Sequence, residues 1–315
     1  MLSRTASNLF WLGRHLERAE TAARLLEVGT RMTLLPNTAE GYRNEWESLL
    51  RASGAAGQFA RDYGEVNERN MEQFLFFDRN NPSSVIVCIE KARESGRIVR
   101  TALTSLVWDA LNIAYQDLRA YKQGDEDAAD LADLVARHGA TVRGAIDSTQ
   151  LRSDGFHFMK LGYALERADS TARLLDVKYF VLLPRVEFVG SELDNYQWQV
   201  ILRALSAHRA FHWAYGGDVS ASRVAHFLIL NAESPRALIS AANEALWHLS
   251  MLATRYGGNV PATARDSAQK LANRLQSLGI EDVFDDGLHE FLTGFIHEIG
   301  QIANLVDHDY FHGRG

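Results

Sequence analysis

The chain has 315 residues, 46% of them hydrophobic and 23% charged, a balance that supports a large packed core and excludes extensive disorder. Its formal charge is −7 and its Lys and Arg are scattered, so it lacks the basic stripe with which a nucleic-acid binder displaces counterions from phosphates. No apolar run approaches the ~20 residues of a membrane span, and the opening MLSRTASNLFWLGRHLERAE has no signal-peptide core, so the expected location is the cytoplasm.

Apolar periodicity predicts a first helix over about 5–34, ended by Pro36. A second helix spans about 43–63 and a third about 66–78, with Gly64 between them as a left-handed cap. A fourth opens at Pro82, where a missing N–H costs nothing, and runs to about Tyr121, with a kink or loosened turn expected at Ser95-Gly96. The linker Gln123-Gly124-Asp125-Glu126-Asp127 leads to a helix over about 126–148. The series then recurs, at about 154–183 (ended by Pro184), 194–215 (capped by Gly216-Gly217), 219–231, and a helix opening at Pro235. Helices at about 261–278 and 286–310 complete the chain. Asn-Gly hairpin signals and alternating runs are absent, so the expected class is all-α. The single cysteine, Cys88, sits in the run Val85-Ile86-Val87-Cys88-Ile89 and reads as a small buried hydrophobe.

The recurrence extends to residue identity. LGRHLERAETAARLLEV at 12–28 aligns with LGYALERADSTARLLDV at 161–177, with 11 of 17 positions identical. Trp46 then matches Trp198, Phe59 matches Phe211, Tyr63-Gly64 matches Tyr215-Gly216, Phe74-Leu75 matches Phe227-Leu228, and Pro82 matches Pro235. The offset drifts only from 149 to 153. This points to a helical bundle built from two tandem copies of one helical unit, 1–150 and 151–315, related by a pseudo-twofold axis and packed as one compact unit.

At 100° per residue, Leu12, Leu16, Ala19, Ala23 and Leu26 form one apolar stripe of the first helix. Glu17, Glu20 and Arg24 fall within about 60° of one another along its edge, Glu20 and Arg24 at the favourable i,i+4 spacing. Arg18 points elsewhere, towards Leu25, and the second copy places Glu166, Arg167, Asp169 and Arg173 in the same way. Two readings stand side by side. The set is a partly buried ion-pair network that fixes helix packing, with Arg51 and Arg203 on the second helix of each copy as natural partners for the acids. Alternatively it is a Glu/Arg ligand or enzyme site at the interface of the copies.

LERAETAARLL and LERADSTARLL, together with WDALN at 108–112, resemble the signature of the bacterial alpha-E domain family, helical proteins named for a Glu-Arg motif. Ser95-Gly96 departs from the helix-forming residues more usual there. The resemblance implies no catalytic activity of the chain itself. It implies a helical companion of a circularly permuted ATP-grasp amide or peptide ligase, with a transglutaminase-like protein as a further partner.

His208 and His212, four apart on one helix face, have the spacing of two zinc ligands, which His226 or His248 could join. The first copy has Ala56 and Ala60 at those positions, no His-Glu-x-x-His motif accompanies the pair, and no metal is expected. The acids and histidines at Glu290, His297-Glu298 and Asp307-His308-Asp309 read as a solvated helix end. The tryptophans occupy mostly apolar helix positions, and Trp46 and Trp198 read as core. Walker-type and Gly-x-Gly-x-x-Gly loops are absent, so no cofactor is expected and ATP binding would belong to a partner.

Overall fold

The computed structural model describes residues 1–33, 45–180 and 192–312, and these are all-helical, with no strand among them. The first half holds α1 (Ser3–Thr33), α2 (Glu45–Ala52), α3 (Ala56–Asp62), α4 (Glu68–Glu72), α5 (Val85–Ile98), α6 (Ser105–Ala120) and α7 (Ala128–Thr149). The second holds α8 (Asp154–Phe180), α9 (Glu192–Ala204), α10 (His208–Tyr215), α11 (Ala221–Ile229), α12 (Leu238–Tyr256), α13 (Thr263–Ser277), α14 (Ile280–Asp285) and α15 (Leu288–Val306). Pro36 and Pro184, expected to end the first helix of each half, lie outside the described residues.

Several expected boundaries are corrected. The single helix expected over 43–63 is two, because Gly54 takes a left-handed φ of 73° between α2 and α3. Ser206 does the same between α9 and α10 at φ 55°, the one non-glycine with positive φ among the described residues. The expected third helix continues past α4 into a π-helical turn over Gln73–Phe77. Pro82 and Pro235 precede their helices instead of opening them: α5 starts after Ser84, whose hydroxyl accepts from the Val87 N–H, and α12 after Ala237, which offers no side-chain cap. α5 runs unbroken through Ser95-Gly96 and ends at Ile98. Gly96 is buried there because a Cβ would collide with the Leu111 side chain, and the chain turns only at Val99, before α6. Gly64 is not a left-handed cap, whereas Gly216 is, at φ 76°.

Two helices form the centre. The apolar stripe of α1 is buried as expected, but so are its remaining faces, and α8 is buried in the same way. A helix that is enclosed all round must be a core helix. α1 packs on α8, α5, α7 and α9, while α8 packs on α1, α12, α15 and α2. Thus α2 rests chiefly on α8 and α9 chiefly on α1, so each half buries the first helix of the other. At their crossing the two backbones touch: a Cβ on Gly13 would overlap the Met159 carbonyl, and one on Gly162 would overlap the Phe10 carbonyl. Shifted by 149 residues, either contact becomes the other.

Cys88 is buried and free, as expected, and burial pushes its thiol up to about 12. Trp46 and Trp198 are core residues, but Trp213 and Trp247 are exposed, contrary to the apolar pattern around them. Asp309, read from sequence as part of a solvated end, is instead buried: it accepts hydrogen bonds from the Thr263 hydroxyl at 2.6 Å and the Ala264 N–H at 2.9 Å, capping α13 from outside. No helix among the described residues is long and apolar enough to cross a membrane.

Candidate functional site

The crossing of α1 and α8 brings both Glu-Arg motifs together. Glu17 is 0% exposed, Glu20 2% and Glu166 3%, so each carboxylate has been stripped of water and must be matched inside the protein. Glu166 receives Arg14 Nε at 2.7 Å and the fork of Arg18, whose Nε lies at 2.6 Å and Nη2 at 3.0 Å. Glu17 receives Arg167 Nη2 at 3.3 Å and Arg236 Nη1, with Arg143 Nη1 3.8 Å away. The motif pairs are therefore exchanged between helices, Arg18 to Glu166 and Arg167 to Glu17. Arg18, expected to point away, does so only with respect to its own helix.

Glu20 is met by Arg143 from α7, by Arg24 Nη2 at 3.4 Å and by Arg236 Nη2 at 3.4 Å. Among the described residues its counterpart Asp169 pairs with Arg173 of its own helix, with Nε at 2.7 Å and Nη2 at 3.1 Å. Arg24 also donates to the Ala204 carbonyl. Beside the helix axes the Thr21 and Ser170 hydroxyls hydrogen-bond at 2.6 Å. Arg51 and Arg203, proposed from sequence as the acids' partners, are exposed on α2 and α9. The cations come from Arg14, Arg143 and Arg236 in their place.

These contacts fix the charge states. Burial alone would push the Glu17 carboxyl up, but the guanidiniums of Arg236, Arg167 and Arg143 reverse this and hold it well below the usual carboxylate range. Burial opposes ionisation of Glu166 too, and Arg14 and Arg18 hold it below its ordinary value. Burial and the neighbouring Arg236 lower Arg24, whereas Glu17 raises Arg167 above its ordinary value. Tyr163 is enclosed beside this network, its hydroxyl without a hydrogen-bond partner among the described residues and its ring 6.0 Å from the Arg143 guanidinium. Glu17 and Glu166 are thus held as ionised acceptors inside the protein.

The network differs between its two ends. On the Glu17 and Glu20 side Arg236 donates to both acids. On the Glu166 and Asp169 side a cavity of about 90 Å³ opens, walled by Leu25, Phe74 and Leu75 and rimmed by Ser83, Asp169 and Arg173.

The histidine expectations resolve separately. His208 and His212 do face one another, with Nε2 atoms 3.2 Å apart, but His226 instead hydrogen-bonds the Tyr215 hydroxyl. His248 is buried against His157, Nδ1 to Nδ1 at 3.0 Å. Among the described residues no group of three His, Cys, Asp or Glu could hold a metal ion.

Sequence reasoning missed Arg14, Arg143, Arg236 and Tyr163. For Arg236 a signal existed: the matched prolines Pro82 and Pro235 are followed by unlike residues, Ser83 and Arg236. Nothing in the sequence marked Arg143.

A family model, Alpha-E, described as a predicted alpha-helical domain with a conserved ER motif, matches residues 1–311. Uncharacterized proteins of Mycobacterium bovis and Mycobacterium tuberculosis are each 22% identical to the chain over 329 aligned residues, covering 96% of it and 36% of themselves. The chain thus spans little more than a third of the length of the curated relatives it matches. No solved structure matches it.

Proposed function

Because the chain belongs to the alpha-E family of helical domains with a Glu-Arg motif, we propose that it is a non-catalytic helical companion of an ATP-grasp type ligase that forms amide or peptide bonds in the cytoplasm. The observation that carries the non-catalytic reading is the saturation of Glu17, Glu20 and Glu166, each buried and each held by two or more guanidiniums. Such a network specifies which helices meet and in what register. The ligase itself is inferred from the resemblance of LERAETAARLL and LERADSTARLL to the family signature. The relatives' length is compatible with a module that works beside other domains, since this chain accounts for only 36% of them.

The same reading includes a tandem duplication about a pseudo-twofold axis. Supporting it are the 149-residue shift that exchanges Gly13–Met159 with Phe10–Gly162 and Arg18–Glu166 with Glu17–Arg167, and the 152-residue shift, that of Trp46 to Trp198, that exchanges α2 on α8 with α9 on α1. Reciprocal contacts of this kind are what an isologous interface requires.

A tagged pull-down from the native cytoplasm, followed by ATP turnover with and without the chain, tests the companion role. Recovery of an ATP-grasp protein in near-equal amount, with turnover changed by the chain, is the expected outcome. Recovery of the chain alone would sink it. The second reading, a small-ligand site between the halves, draws on the cavity beside Glu166.

A further inference from the structure

The two motif sites match at Glu17/Glu166, Arg18/Arg167, Glu20/Asp169 and Arg24/Arg173, but differ at Arg14, which donates to Glu166 and whose counterpart is Tyr163. Under the shift that matches Pro82 to Pro235, Ser83 corresponds to Arg236. Arg236 donates to both Glu17 and Glu20, whereas Ser83 lines the cavity beside Glu166 and Asp169. We propose that this cavity is a receptor for a guanidinium group supplied from outside the chain, which occupies the place that Arg236 occupies in the other half. The proposal deepens the ligand-site reading and rests on the tandem duplication.

The acceptors are present. A carboxylate oxygen accepts two hydrogen bonds. Glu166 Oε1 and both oxygens of Asp169 each hold one donor, from Arg18 and Arg173. The filled side demonstrates that a carboxylate already paired with the arginine four residues on accepts more, because Glu20 takes Arg143 and Arg236 in addition to Arg24. It also demonstrates that several guanidiniums can surround two carboxylates in this setting. A planar guanidinium, with donors on its edge and apolar faces, suits a slot that carries Glu166 and Asp169 beside their partners Arg18 and Arg173 and is otherwise walled by Leu25, Phe74 and Leu75, better than a compact, strongly hydrated ammonium does.

Size restricts how the group arrives. A volume of about 90 Å³ is smaller than the ~150 Å³ of a cavity that admits benzene, which suits a planar group of a few heavy atoms. The rest of the donor must stay outside the mouth, beside the partly exposed Asp169 and Arg173. Both a free arginine-type molecule and an arginine side chain of a partner protein meet that condition.

The test is thermal unfolding and calorimetric titration of the full chain with methylguanidinium, methylammonium, acetate, L-arginine and a capped peptide containing one arginine. Methylguanidinium is expected to raise Tm saturably and to bind more tightly than methylammonium, with no response to acetate. Ser83→Arg is expected to raise Tm by itself and to abolish that response. Asp169→Asn, which alters only a partly exposed pair, is expected to weaken it without unfolding the chain. A better response to L-arginine assigns a free donor, and a better response to the peptide assigns a partner's side chain. A response to acetate in place of methylguanidinium, a response that survives Ser83→Arg, or no response in the wild type overturns the proposal. Arg236→Ser separates the two readings: it opens the filled side, and rescue of its lowered Tm by methylguanidinium supports the duplicated design. Rescue there with a silent wild type overturns the cavity proposal alone, and failure of both overturns the duplicated design as well.

Discussion

Replacing Glu17 by glutamine removes one negative charge from a position that is 0% exposed and leaves Arg143, Arg167 and Arg236 facing a neutral amide whose N–H groups repel theirs. At an effective dielectric constant near 20, a charge pair about 4 Å apart is worth about 4 kcal/mol. Arg167 at 3.3 Å and Arg143 at 3.8 Å are both within that range. Part of the loss is recovered because a neutral side chain no longer opposes burial, which leaves the 3–5 kcal/mol typical of a broken buried pair. At roughly 2 °C per kcal/mol for a chain of this size, Tm is expected to fall by about 6–10 °C. Urea unfolding at pH 7 measures the same quantity, and a cycle with Arg236→Met isolates the coupling, expected to be at least ~1 kcal/mol because the double variant no longer buries an unmatched cation. A Glu17→Gln protein within ~0.5 kcal/mol of the wild type, or additive single effects, would refute the view that this network locks α1 to α8.

Other perturbations probe other layers. Gly13→Ala forces a methyl into the Met159 carbonyl and is expected to destabilise by ~3 kcal/mol or more, whereas Gly144→Ala, with open space around it on α7, is expected to stabilise by ~0.5 kcal/mol; equal effects in urea melts would contradict the close crossing. Ser84→Ala removes the N-cap of α5 and its hydrogen bond to the Asp78 carbonyl at 2.7 Å, for an expected loss of about 1–2 kcal/mol, while Ala237→Gly at the uncapped start of α12 should change stability far less. Burial holds His15 down to about 3, helped by Arg18 and Lys91, and His157 to about 4, helped by His248. The unfolded chain therefore binds more protons than the folded chain below about 6.5, and stability should fall as pH drops from there towards 4, by up to ~1.4 kcal/mol per pH unit for each histidine. His157→Gln should flatten that slope by about one proton in urea melts between pH 6.5 and 4.5, and an unchanged slope would count against a neutral buried pair.

Much of the architecture can be read directly from the residues. The spacing of Leu12, Leu16, Ala19, Ala23 and Leu26 predicts a buried helix face, and all five are buried. The turns were harder. Gly54 and Ser206 break helices that periodicity alone joins, because the apolar rhythm runs on across a single left-handed residue. Gly96, which propensity marks as a weak point, is a packing position against Leu111, since what matters there is the space left for a side chain from another helix.

The sequence by itself determined that the chain is helical, that Glu17, Glu20 and Arg24 share an edge with Glu166, Asp169 and Arg173 matching them, and that two segments repeat. These are local properties, set by 3.6 residues per turn and by which side chains avoid water. Only the tertiary structure decided which cation meets which acid. Arg143 and Arg236 lie more than 120 and 210 residues along the chain from Glu17, and Arg51 and Arg203 turn outward although their helices carry them past the network. Ion pairs depend on distances of a few ångströms after folding, and no helical rhythm encodes distances between helices. The open cavity exists for the same reason: one half sends an arginine from position 236 into the network, and the other offers only the hydroxyl of Ser83.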